Sequence, residues 1–107
     1  MHNVDYDVIE EAVLKALESE REEYSYTINE DCYIKFIDGK GFYETGVRLY
    51  FTKDGKTETQ DYKFSYFIDC LADAFLYGSD IIHNICVEIQ EHIRELYGEK
   101  RHTVPYL

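Results

Sequence analysis

Histidine, cysteine and carboxylate side chains come closest together toward the C-terminal end of the chain. His83 and Cys86 are three residues apart, and Glu88 and His92 are four apart. On a helix the second spacing puts a carboxylate and an imidazole on one face, as metal coordination requires. Two ligands fall short of the three or four that zinc takes, and Cys86 lies on an apolar stripe where a small buried thiol is ordinary. No metal and no other cofactor is therefore expected. Nucleophilic catalysis needs a Cys or Ser beside a base, but Cys70 and Cys86 both fall at apolar positions that disfavour a thiolate. Asp38-Gly39-Lys40-Gly41 lacks the helix that follows a phosphate-binding loop. Carboxylates are plentiful, yet acid/base work needs a pocket that separates their pKa values, and none is visible. The expectation is a protein that is not an enzyme.

The elements that carry these residues follow from periodicity. Val8, Ile9, Ala12, Val13, Ala16 and Leu17 recur at helical spacing, which predicts a helix over 5–23. Asn3, Asp5 or Asp7 would cap its start, and Glu11 and Lys15 form a favourable i,i+4 pair. Three segments of period two follow, 32–37, 42–52 and 57–66. Asp54-Gly55 signals a two-residue hairpin, which sets Lys53 opposite Lys56, Arg48 opposite Asp61, Val47 opposite Tyr62 and Thr45 opposite Phe64. A four-residue loop at 38–41 would set Phe36 opposite Tyr43 and Lys35 opposite Glu44. In that register Cys32, Ile34, Phe36, Val47, Leu49, Phe51, Tyr62, Phe64 and Tyr66 form the core face. Tyr33, Lys35, Ile37, Phe42, Glu44, Arg48, Tyr50, Asp61 and Lys63 form the other, with Gly46 between Tyr33 and Lys63.

Two helices are predicted next. The first, over 66–77, is capped by Ser65 and stopped by Gly78; it is largely buried through Phe67, Ile68, Cys70, Leu71, Ala74, Phe75 and Leu76, leaving Asp69 and Asp73 for water. The second, over 81–97, is capped by Ser79 or Asp80 and stopped by Gly98. It buries Ile82, Ile85, Cys86, Ile89, Ile93 and Leu96, and keeps Asn84, Glu88, Glu91, Arg94 and Glu95 wet. Residues 99–107 read as an irregular tail. The expected architecture is a single α+β domain in two layers: an N-terminal helix, a three-stranded antiparallel meander and two C-terminal helices.

Composition narrows the function. With 107 residues the chain suits one domain, and 45% apolar with 16% aromatic residues excludes a disordered acidic tail. No apolar run reaches bilayer length, and the acidic N-terminus lacks a secretion-signal pattern. Three cysteines without CxxC spacing suggest a reducing, cytoplasmic setting. The formal charge is −11, carried by the helical segments while 25–66 is nearly neutral. Such a field attracts basic proteins and repels nucleic acid and anionic membrane. Acidity also serves solubility, but two features point further. Glu18, Glu20, Glu22 and Glu23, continued by Glu30 and Asp31, crowd a helix end whose dipole prefers cations. Eleven tyrosines supply rigid, half-polar contact area of the kind interfaces use.

In size, acidity and the order helix, three strands, helix, helix, the chain resembles small phage anti-CRISPR proteins. That resemblance implies a non-catalytic inhibitor whose carboxylates imitate DNA phosphates in the cleft of an RNA-guided nuclease. The first candidate contact is Glu18, Glu20, Glu22, Glu23, Glu30 and Asp31; the second is Glu88, Glu91 and Glu95. The expected partner is a basic nuclease or CRISPR effector. An immunity protein or antitoxin neutralising a basic toxin would use the same physics. A different reading is a homodimer built on the aromatic sheet face of Tyr33, Ile37, Phe42 and Tyr50.

Overall fold

A computed structural model describes residues 4–68 and 71–98, the stretch 71–79 by its backbone alone. The first helix, α1, spans Tyr6–Ser19. Four strands follow: β1 (Ser25–Thr27), β2 (Cys32–Ile37), β3 (Gly46–Lys53) and β4 (Lys56–Lys63). Short 3-10 turns occupy Phe42–Glu44 and Phe64–Tyr66, and a second helix, α2, runs Leu71–Leu96. The strands form one antiparallel sheet in the order β1-β2-β3-β4. Both helices lie on the same face, α1 over β1 and β2 and α2 beside it over β3. The architecture is α+β in two layers, with four strands where three were expected.

The hairpin signal sets the β3–β4 pairing. Asp54 and Gly55 both have positive φ, 54° and 78°, as a type I′ turn requires, and Lys53–Lys56, Arg48–Asp61 and Val47–Tyr62 pair as the turn dictates. Phe64 N–H reaches Thr45 O at 2.9 Å, extending the same register. The β2–β3 pairing differs from expectation: Phe36 meets Val47 rather than Tyr43, and Lys35 meets Arg48 rather than Glu44. Residues 38–45 make a longer connection that includes the 3-10 turn, so Phe42, Tyr43 and Glu44 are not strand residues. The slip is four positions, an even number, so the allocation of β2 and β3 residues to faces survives it. Gly46 consequently sits between Ile37 and Lys63, not Tyr33. A Cβ there would lie 2.1 Å from the main-chain oxygen of Tyr62.

The core is one cluster. Ile9, Val13 and Ala16 from α1, Ile34, Val47, Leu49 and Phe51 from the sheet, and Ile85, Cys86, Ile89 and Ile93 from α2 are all essentially excluded from water. Phe64 is only part-buried and Tyr66 is 59% exposed, because the chain leaves the sheet at Lys63. The predicted break at Gly78 does not occur: α2 is continuous through 78–80, so Gly78 is no C′ residue and Ser79 and Asp80 are no caps. One interior glycine costs about 1 kcal/mol against alanine, less than the continuous main-chain ladder and the buried isoleucine stripe return. The predicted start at 66 is replaced by the 3-10 turn. The expected C-terminal stop does form, with Gly98 at φ 88°, its N–H bonding Glu95 O at 2.9 Å. The expected tail at 99–107, the cap at Asn3, Asp69, and the burial of Cys70, Leu71, Ala74, Phe75 and Leu76 with exposed Asp73 lie outside what is described.

The outer sheet face is held by its own cross-strand contacts. Tyr33 and Tyr50 stack at 4.8 Å with rings 7° from parallel, and Lys35 Nζ lies 5.8 Å from the Tyr50 ring centre. Arg48 makes a two-pronged bond to Asp61 at 2.5 and 3.1 Å, and Lys63 pairs with Glu44 at 3.1 Å. Ile37 is buried, and Phe42 stacks on Phe64 at 4.7 Å. Bases on this face are therefore engaged within the fold.

Replacing Gly46 by alanine should lower stability by about 1–3 kcal/mol in chemical denaturation, since two backbones must separate. The hydrogen bonds from Arg48 hold the Asp61 carboxyl below its ordinary range. The contribution is thus complete above the unfolded carboxylate value of about 4 and is lost as pH falls through the lower folded value. Asp61→Asn should therefore melt earlier than wild type at pH 7, with the gap narrowing as pH falls below about 4.

Candidate functional site

The acids singled out by sequence fall into three places. Helix α1 ends at Ser19, and Glu20 takes the left-handed conformation at φ 51°. Glu22 and Glu23 therefore lie beyond the helix, and only Glu18 opposes the dipole from inside the last turn; the expected crowding of that terminus is largely relieved by the helix stopping early. Glu22 Oε1 accepts the Asp38 N–H at 3.2 Å, and Glu23 pairs with Arg21 at 3.4 Å. Glu20 and Asp38 line a hollow of about 590 Å³ with Leu17, Phe36 and Phe64. This group occupies the Ile37 end of β2.

Glu30 and Asp31 occupy the opposite end. They precede Cys32 in a tight turn in which Asn29 Oδ1 accepts the N–H groups of Asp31 and Cys32 at 2.8 and 2.9 Å. Six strand residues at ~3.3 Å each separate them from Asp38, about 20 Å. They do not continue the α1 group. Glu30 is exposed, whereas Asp31 is half-buried and accepts the Tyr97 hydroxyl at 2.5 Å. Burial and that bond push the Tyr97 phenol up to about 12. Asp31 thereby ties the β1–β2 turn to the end of α2, where Lys53 Nζ also reaches Leu96 O at 3.3 Å.

The third group sits on α2, where Glu88, Glu91 and Glu95 share one helical face with His92. Glu88 and Glu95 border a groove between α2 and β4, made of two adjoining hollows of about 480 and 240 Å³. Gln60, Tyr62 and Glu88 line both hollows. Its floor is fastened by the Tyr62 hydroxyl and His92 Nδ1, 2.8 Å apart. On β4 Gln60, which lines the groove, and Glu58, two residues away on the same row, are exposed, although their β3 partners Leu49 and Phe51 are buried. The helical layer covers β4 at Tyr62, and beyond it Lys56, Glu58 and Gln60 of the same helix-side row are exposed.

Sequence reasoning missed Glu58, Gln60 and the pairing of Tyr62 with His92. A signal was present: Glu58 and Gln60 have the same parity as Tyr62, so two polar side chains occupy inward positions, as on a strand whose inner face is uncovered. The chemistry offered by the site is ionic and hydrogen-bonding. Burial pushes the thiols of Cys32 and Cys86 up to about 12 and 11. Among the described residues no group of three or more His, Cys, Asp and Glu is placed to hold a metal ion, and no helix is long and apolar enough to cross a membrane.

No protein-family model, curated protein or solved structure matches the chain.

Glu20 carries the conformational cost of a left-handed residue with a side chain. Glu20→Gly should therefore raise stability by about 0.5–1 kcal/mol in urea denaturation.

Proposed function

We propose that the chain is a non-catalytic binding protein whose acidic helical side occupies a cationic surface on a nucleic-acid-handling protein and keeps nucleic acid out. The observation that carries this reading is the contrast between an outer sheet face whose cations are engaged and a helical side on which exposed carboxylates are in excess. On the outer face Lys35, Arg48 and Lys63 are engaged by Tyr50, Asp61 and Glu44. On the helical side Glu18 and Glu20 are exposed with no cationic partner among the described residues, and Glu88 and Glu95 border an open groove. Carboxylates presented in this way meet guanidinium and ammonium groups that otherwise hold phosphates.

Small acidic anti-CRISPR proteins act on partners of this kind. The order of elements here is helix, four strands, helix, so the likeness to them rests on size and charge. A nuclease or CRISPR effector is the partner class the charge favours.

The test is capture from cell extract on the immobilised chain, followed by competition of the captured protein against labelled duplex DNA. Capture should weaken as salt shortens the screening length to ~8 Å and below, and the chain should displace the DNA. Glu18→Lys, Glu22→Lys and Glu23→Lys together, or Glu88→Lys, Glu91→Lys and Glu95→Lys together, should reduce displacement at least tenfold while the circular dichroism spectrum is unchanged. If both triple variants displace DNA as well as wild type does, the reading fails.

A further inference from the structure

We infer that β4 is a strand-addition site, taking an extended basic segment of the partner as a fifth strand; the inference rests on the acidic-surface reading and specifies how it is met. The hairpin determines which main-chain groups are available. In a two-residue hairpin the residues flanking the turn, Lys53 and Lys56, bond each other, and bonding alternates from there. Phe64 N–H bonding Thr45 O at 2.9 Å confirms the phase at the far end. Glu58, Gln60 and Tyr62 therefore bond β3, while the N–H and C=O groups of Thr57, Thr59 and Asp61 point off the sheet edge. No described strand lies there; the side chain of Gln60 lies 3.5 Å from Asp61 O.

Charge identifies the occupant. Side chains of an added strand alternate between faces, and those on the helix side would stand next to Glu58 and Gln60, over the groove bordered by Glu88 and Glu95. The two glutamates are seven residues apart on α2, about 10 Å, so two same-side residues of a strand, ~7 Å apart, both fall within their reach. Lys or Arg at these alternate positions finds three carboxylates. A second copy of the chain fits poorly, because two-fold pairing of β4 with itself would turn the Glu88 and Glu95 sides of two copies of α2 toward each other. The occupant is thus a cationic segment of another protein, held through main-chain bonds for register and alternate basic side chains for specificity.

The test uses an acetylated, amidated peptide, Lys-Thr-Lys-Val-Lys-Thr-Lys, and the same peptide N-methylated at alternate residues. Titration into the full chain should slow amide exchange at Thr57, Thr59 and Asp61, and N-methylation should weaken binding at least tenfold. Thr59→Pro removes an outward N–H without touching a β3 bond, a place where an edge strand tolerates proline, and should weaken binding equally. Glu88→Gln with Glu95→Gln should weaken it severalfold. Unchanged affinity for the N-methylated peptide, or no binding at millimolar peptide, overturns strand addition. If N-methylation has no effect while the glutamine variant loses the peptide, strand addition falls and the acidic-surface reading stands. If the glutamine variant binds as wild type does, the cationic occupant falls. Self-association through β4, abolished by Thr59→Pro in sedimentation, also overturns the inference by naming a different occupant.

Discussion

Burial of one face of β2 and β3 beneath two helices is the interaction on which the rest of the molecule depends. Each isoleucine or phenylalanine removed from water there is worth roughly 1.5–3 kcal/mol, and the stripe Ile81, Ile85, Ile89 and Ile93 of α2 meets Ile34, Leu49 and Phe51 in a single cluster. The polar ties around it fix geometry more than they add stability. Tyr6 with His83 and Tyr62 with His92 join α2 to α1 and β4, and Tyr97, directly after α2, bonds Asp31, so the helix is pinned in rotation. That rotation decides where Glu88 and Glu95 face.

The same packing explains the charge distribution. The outer sheet face, over which no described element is packed, satisfies its side chains laterally with a tyrosine stack, a two-pronged arginine bond and a lysine–glutamate pair. These contacts absorb most of the sheet's cations. On the helical side Glu11 pairs with Lys15, while Glu18, Glu20, Glu88 and Glu95 are exposed and contribute to the field that an approaching protein meets. At the sheet edge the inner row of β4 adds exposed Glu58 and Gln60, with Lys56 beside the turn.

Hairpin register and the core of the sheet were legible because turn chemistry is local. Asp54-Gly55 requires two positive φ values, and every β3–β4 pair follows from it. The β2–β3 register was not legible: residues 38–45 contain no comparable turn, and a 3-10 turn absorbed residues that alternate as a strand would. Strand β1 escaped notice because three residues carry no periodicity of their own, and its place comes from pairing with β2. Gly78 read as a stop because propensity favours one there, but the stop was overridden by continuity of the helix on either side. Of the candidate site, the identities of the acids were visible and their grouping was not. Glu22 and Asp31, nine residues apart in sequence, lie at opposite ends of a strand, and Gln60 lines the same hollows as Glu88, far along the chain.

By itself the sequence determined the excess of carboxylates, the two-layer α+β class, the apolar stripes and the tight hairpin, since each depends on residue type and near-neighbour spacing. Tertiary structure alone decided which acids share a surface, that α2 covers β3 and Tyr62 but leaves Glu58 and Gln60 of β4 exposed, and that Lys35, Arg48 and Lys63 are engaged on the outer face of the sheet. Those outcomes depend on the angle at which a helix lies on a sheet, and that angle is set by close packing of side chains far apart in the chain.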